Sequence, residues 1–238
     1  MAVTLKLADV TVDVQQKDIK HLHLTVHPPE GRVRIAAPLH MKLDTIRVFA
    51  ISKLAWIRQQ QRKLREQARE APREFVDRES HFVWGRRCLL HVVEVDAAPS
   101  VELRHTRLTL RVRQGASRDQ RQAVMSQWYR EQIKASLPAL LSIWEPRLGV
   151  NARQTFVQKM RTKWGSSNPL ARNIRLNSEL AKKPVECLEY VLVHELLHLL
   201  EPTHSARFVA LMDQHLPDWA HRRQVLNAMP VGHEDWVY

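Results

Sequence analysis

Tyr190-Val191-Leu192-Val193-His194-Glu195-Leu196-Leu197-His198, with His204 six residues further on, is the stretch on which the reading of this chain turns. On a helix, positions i and i+4 share a face, so His194 and His198 can hold one metal ion between them. Glu195 projects at a neighbouring angle and can reach a water bound to that metal. Catalytic zinc takes three protein ligands and keeps its fourth position for water. His204 is the expected third ligand, and Glu195 the expected general base.

The flanking sequence suits this role. Pro184 fits the start of a helix, and Glu186 and Glu189 fall in its opening turns, where the helix dipole favours acids. Pro202 stops the helix beyond His198, because proline cannot continue the hydrogen-bond ladder. The chain must then turn before His204, which lets a residue off the helix fold back towards the metal. A plainer alternative is a buried amphipathic helix whose histidines are merely hydrogen-bonded. It leaves two imidazoles and a carboxyl on the inward side of an apolar helix, which is costly without a partner.

With 238 residues, 44% of them hydrophobic and 26% charged, the chain has the makings of a soluble globular protein with ample core. No apolar run approaches membrane-spanning length, and the first ten residues alternate like a strand rather than following the plan of a signal peptide. Cys88 and Cys187 are the only cysteines, far apart and in no CxxC, so neither a disulfide framework nor a cysteine metal site is indicated. A reducing cytoplasm is the expected location. The net charge of +12 is concentrated: residues 104–175 carry 15 Lys/Arg against Asp119, Glu131 and Glu145. Such a stripe can serve phosphates, nucleic acid or acidic substrates, or simply be a solvated basic surface.

Residues 2–36 read as strands, with alternation at Val3–Leu7, Leu22–Val26 and Arg32–Ile35 and a turn at Pro28-Pro29-Glu30-Gly31. His21, His23 and His27 are read as decoration of a strand face. A helical stripe of Leu43, Ile46, Phe49, Ala50, Leu54 and Ile57 predicts a helix from about Lys42 to Arg69. Strands are expected at 81–95 and 101–113, with Trp84-Gly85-Arg86 as a turn. A long helix should begin at Ser117 and be interrupted by Pro138. Two short strands, 154–164 and 172–177, should flank a loop at Gly165-Ser166-Ser167-Asn168-Pro169, and helices are expected at 205–215 and 218–229. No internal repeat is evident. The order argues for an α+β fold. It is read as one domain over 1–238, with a β-rich supporting region (1–114) and a catalytic region (115–238).

Three blocks in order resemble the YgjP-like metallopeptidases, relatives of the SprT-type zinc proteases. They are Arg161-Thr162-Lys163-Trp164-Gly165-Ser166-Ser167; Ile174-Arg175-Leu176-Asn177 with Leu180 and Pro184; and Tyr190 to His198 continuing through His204-Ser205-Ala206-Arg207-Phe208. The N-terminal strands, the helix after them and Trp84-Gly85 also resemble the family. Its usual Arg-Trp-Gly-Ser-Cys is here Lys163-Trp164-Gly165-Ser166-Ser167, so a role for that cysteine is not carried over. Metzincins share the six-residue step to the third histidine but place glycine where this chain has Glu201, and are rejected. The resemblance implies a zincin-type core with a short sheet, ligands His194, His198 and His204, base Glu195, and the Trp164 block on strands near the site.

The chemistry so implied is peptide hydrolysis by one Zn2+ ion, although imidazoles also suit other transition metals. Tyr190, one turn before His194, and Arg161 are candidate oxyanion donors, and Trp164 a candidate substrate contact. A peptide or protein is the first-choice substrate. Phosphoanhydride hydrolysis of a nucleoside triphosphate is the alternative, with the basic stripe holding phosphates, although none of the six glycines forms a phosphate loop. A nucleic-acid-associated protein with a structural metal is the third reading. It is the weakest, since structural zinc sites usually close with cysteines. No membrane partner is expected.

Overall fold

Period-two burial builds the first sheet. Leu5 and Leu7 of β1 (Ala2–Leu7), Val10, Val12 and Val14 of β2 (Val10–Lys17), and Val33, Ile35 and Ala37 of β4 (Arg32–Pro38) all turn inward. β3 (His23–His27) completes a sheet of order β1-β2-β4-β3, with antiparallel hairpins outside and a parallel β2–β4 pair at the centre. Ile46 and Ala50 of α1 (Leu43–Ser52) and Ile57 of α2 (Leu54–Glu66) close this core, each 0% exposed. These coordinates are a computed structural model that describes residues 2–27, 31–66, 73–160 and 163–229. The expected turn at 28–30, the end of the charged helix at 67–72, and Arg161 lie outside the described residues.

Two details differ from the sequence reading of this region. A fourth strand, β2, joins the three expected. The helix of 42–69 is two helices broken at Lys53, where the Ser52 hydroxyl donates to Phe49 O at 2.7 Å and competes with the helical ladder. His23 and His27 lie at alternate positions of β3, as expected of residues decorating a strand face, and His21 lies in the loop before it.

Contacts between Cα atoms divide the described residues into two compact units, one ending at residue 66 and the other spanning 73–229. The division falls well before residue 114. β5 (Ser80–Val83), β6 (Arg86–Glu94), β7 (Ser100–Arg104) and β8 (Arg107–Val112) thus belong with the metal-helix region. Core packing gives the reason: Val83, Leu90, Leu108 and Leu110 share one apolar cluster with Ile133, Leu188 and Leu192. This second sheet has the order β5-β6-β8-β7, again with outer hairpins and a parallel central pair. The two four-stranded sheets therefore repeat one topology, each followed by helix. The sequence carries no visible repeat because only the inward-facing alternation is shared.

α3 (Arg118–Leu148) starts at a capping box, in which Ser117 and Gln120 satisfy each other's backbone N–H, and ends at Gly149 in the left-handed conformation. The expected interruption at Pro138 does not occur. Proline removes one ladder bond, but Ile133, Leu137, Trp144 and Leu148 are buried on both sides of it, and their packing carries the helix through.

The third sheet has the order β10-β11-β9: β9 (Gln154–Gln158) and β11 (Asn173–Asn177) run parallel, and β10 (Gly165–Asn168) pairs antiparallel with β11 on the outside. Gly165–Asn168, expected as a loop, is thus a strand. Its turn-like composition is overridden by pairing with Asn173–Leu176. After a 3-10 turn (Ser178–Lys182) come α4 (Val185–Leu197), α5 (Ala206–His215) and α6 (Trp219–Ala228). The described residues thus form a mixed α+β structure of three small sheets and six α-helices.

The β5–β6 hairpin seats α4. Trp84 and Gly85 both have positive φ, the signature of a tight two-residue hairpin turn. Their N–H groups donate to Ala181 O (2.8 Å) and Lys182 O (3.3 Å), and a Cβ on Gly85 would stand 2.8 Å from Pro184 Cγ at the head of α4. Both cysteines are buried and free, and burial pushes the Cys187 thiol up to about 11. Among the described residues no helix is long and apolar enough to cross a membrane.

Candidate metal centre and catalytic cleft

α4 is buried along most of its length, from Cys187 and Leu188 to Leu196 and Leu197. A helix so enclosed has its side chains held by packing, and His194 and Glu195 inherit that rigidity. Helical geometry ends at Leu197, with His198 as the cap residue, and Glu201 N–H donates back to Leu197 O at 2.9 Å. The reversal brings Glu201 O to 3.0 Å from His198 Nδ1. That carbonyl can only accept, so Nδ1 carries the proton and Nε2 presents a bare lone pair, the usual outer-shell orientation of a metal-binding imidazole. Ser205 then caps α5 through its Oγ, accepting from Phe208 N–H at 3.3 Å, and this fixes His204 just outside the helix.

The three histidines meet. His194 Nε2 lies 3.2 Å from His198 Nε2 and 3.0 Å from His204 Nε2, and one ligand nitrogen from each falls within 4.8 Å of the others. Tetrahedral zinc with Zn–N near ~2.0–2.1 Å requires nitrogens roughly 3.3 Å apart, so two of the three edges are close to metal-binding size. Burial, with the neighbouring His198, His204 and Arg223, pushes His194 down to about 4, and burial also lowers His198. Both are therefore neutral near pH 7, as ligands must be. The donor set of three imidazoles with an open side fits a catalytic zinc or a related transition metal.

Phe208, 3% exposed, buttresses all three rings, with centroids 4.9 Å from His194, 4.6 Å and stacked on His198, and 5.0 Å from His204. In the sequence Phe208 stands only at the end of a motif. The spacing Ser205-x-x-Phe208, a cap followed by an inward apolar residue, was the available signal.

Glu195 is 6% exposed, and burial raises its carboxyl to about 7, with Lys163 pulling the other way. It lies against β10: a Cβ on Gly165 would be 2.6 Å from Glu195 Oε1. Asn177 anchors the approach to that strand. Its Nδ2 donates to Met160 O (2.8 Å) and Lys163 O (2.9 Å), while its Oδ1 accepts from Met160 N (3.3 Å) and Glu179 N (3.1 Å).

Tyr190, expected one turn before His194, is packed edge-on against that ring at 5.9 Å, and burial raises its phenol, which stays a proton donor at neutral pH. Trp164 lies beside Glu195 in the cavity wall, with Lys183 Nζ 5.5 Å over its ring. Arg161 is not among the described residues. Arg223 of α6 is brought to the same place without having been singled out in the sequence.

The basic stripe is distributed over β7, β8, α3 and the third sheet, and part of it is engaged: Arg104 and Arg111 with Glu102, Arg118 with Glu74 and Asp119, and Lys134 with Glu131.

Comparison with known proteins agrees with the motif. The family model described as YgjP-like, metallopeptidase domain, matches residues 20–229, and the chain belongs to that family. Membership places it among metal-dependent hydrolases of the peptidase class. None of the curated proteins matches the chain. A solved structure, the metallopeptidase zymogen of Pyrococcus abyssi abylysin, aligns with 37% of this chain and 86% of that chain at 21% identity. Its TM-score of 0.33 makes the likeness local, without bearing on fold or activity here.

Proposed function

We propose that the protein is a zinc-dependent peptidase in which His194, His198 and His204 hold the metal and Glu195 is the general base. The observation that carries this reading is the convergence of three imidazole nitrogens, at 3.0 and 3.2 Å, beside a buried carboxyl. Bound zinc supplies Lewis acidity, lowering the pKa of a coordinated water towards neutrality and polarising the scissile carbonyl.

The chain's own residues do the rest. Glu195, with its carboxyl near pH 7, takes a proton on a carboxylate oxygen and delivers it to the leaving amine, a task best done by a group whose pKa matches the working pH. Tyr190, a protonated phenol that lines both cavities beside His194, donates to the developing oxyanion in this reading. β10 is an edge strand, so its outer N–H and C=O groups can pair with an extended substrate next to Glu195. The nucleotide and nucleic-acid readings draw no support from the family match.

The test is metal content and peptide hydrolysis measured together. His194→Ala and His204→Ala should lose stoichiometric metal. Glu195→Gln should keep the metal and lose hydrolysis of unfolded protein by about 10³-fold or more. Full turnover by a metal-replete Glu195→Gln protein would overturn the assignment.

A further inference from the structure

Two successive arginines of α6 stand in opposite circumstances. Arg222 is committed to the fold: its Nε donates to Asp218 at 2.8 Å and its guanidinium pairs with Glu189, which also accepts from Trp144 Nε1 at 2.9 Å. Arg223, about 100° round the helix, is exposed and makes no ion pair among the described residues. It stands instead on the rim of both cavities bordering the histidines. One, about 330 Å³, is walled mainly by Phe208, Val209, Met212 and Trp219. The other, about 230 Å³, runs past Glu195 and is walled by Trp164, Val191 and Leu226, with Lys163 and Asn227 at its edge.

Lys163 also makes no ion pair among the described residues. Two cations from distant elements, the β9–β10 connection and α6, therefore converge on one small cavity in which Glu195 is the sole carboxyl of the lining. A solvated basic surface spreads its charges apart. Here they are gathered at a concave wall floored by apolar side chains, where the field is focused and an anion is held more strongly than in open water.

We propose that Lys163 and Arg223 form a carboxylate-recognition site that selects peptides placing an acidic group in the cavity beside Glu195, with an apolar side chain in the neighbouring cavity. This rests on the peptidase reading above. The carboxylate is that of an Asp or Glu side chain near the cleaved bond, or the carboxyl terminus of the peptide.

The experiment uses zinc-loaded full-length protein and internally quenched peptides carrying Glu, Gln or Lys in turn at each position flanking the cleaved bond, as free acids and as amides. A Glu-over-Gln preference in kcat/KM of about tenfold is expected at one position. A free-acid preference without it assigns the site to the terminal carboxylate. Arg223→Gln and Lys163→Gln should bring the ratio towards one, and Arg223→Glu should turn it in favour of Lys, a gain that misfolding cannot mimic. No acidic preference at any position, or a preference untouched by all three variants, overturns the proposal. Binding of the same peptides, fluorescently labelled, to metal-loaded Glu195→Gln protein is followed in parallel. Charge-dependent binding without turnover in the wild type would sink the peptidase reading while leaving the recognition site standing.

Discussion

Gly165 and Glu195 are in contact, the strand backbone against the carboxyl: a Cβ at Gly165 would lie 2.6 Å from Glu195 Oε1 and 2.9 Å from Val191 Cγ1. Neither neighbour has free room, since Glu195 is 6% and Val191 4% exposed. Gly165→Ala must therefore displace the carboxyl or open the strand–helix packing. In the role proposed for Glu195, a displacement near 1 Å costs on the order of 10²-fold. The expected outcome is a fall in kcat of about 10- to 100-fold with metal content unchanged, read by steady-state kinetics alongside metal analysis. A fully active Gly165→Ala protein would show that Glu195 does not need its present position.

Phe208 links the three imidazoles through one ring, so its loss should be felt in the metal before the fold. Phe208→Leu keeps an apolar side chain in the core but removes the flat face stacked on His198. Outer-shell support of this kind is worth about 10- to 100-fold in metal affinity. Competition against a chromophoric chelator should show a loss of about tenfold, with far-ultraviolet circular dichroism unchanged. An unaltered affinity would mean that α4 and the turn at Glu201 orient the ligands unaided.

What could be read from the sequence follows from what is local. His194 and His198 share a helix face by periodicity alone, and the turn that returns His204 was signalled by Pro202. The Ser117 cap and the Trp84-Gly85 turn are likewise short-range signals, and each appears where its residues demanded. Gly165 and Arg223 act across elements, and no spacing marks them; for Phe208 the cap spacing from Ser205 marks an inward side chain but not the three rings it supports. Gly-Ser-Ser-Asn reads as a loop until Asn173–Leu176 pairs with it, and Pro138 reads as a break until Leu137 and Trp144 are buried around it. The grouping of the second sheet with α4 is also a property of packing, since only the shared core joins them.

Asn177 uses both ends of its amide in a site where it is 4% exposed. Asn177→Ala strands the Met160 and Lys163 carbonyls and two N–H groups, and should destabilise by about 3 kcal/mol. Asn177→Asp is nearly isosteric and retains the acceptor that caps the 3-10 turn, yet it aims a second oxygen at those two carbonyls. It should therefore be no more stable than the alanine variant. Urea denaturation at pH 7 with an unchanged m-value would measure this. An Asp variant of wild-type stability would show that the two donated bonds contribute nothing.

His81 gives the fold an acid sensitivity separate from the metal centre. It is 3% exposed, its ring lies 5.6 Å from that of Phe75, and burial, with the Arg73 and Lys182 charges, pushes it down to about 3. Its Nε2 is 3.9 Å from Glu79, but an imidazole that stays neutral makes no ion pair there. With the folded value below the ordinary 6.5, the unfolded chain takes up the proton first. The contribution to stability is whole above pH 6.5 and is lost as pH falls towards 3. At pH 5 the loss is about 2 kcal/mol, from roughly 1.5 units at 1.36 kcal/mol each. His81→Phe removes the titration while keeping an aromatic ring against Phe75. Its stability difference between pH 7 and pH 5 should be smaller than the wild type's by about that amount, measured by urea unfolding at each pH on metal-free protein. Equal pH dependence in the two proteins would mean that folding does not disfavour the charged imidazole, and a smaller loss in the wild type than in His81→Phe would mean that His81 is protonated and paired with Glu79 in the folded state.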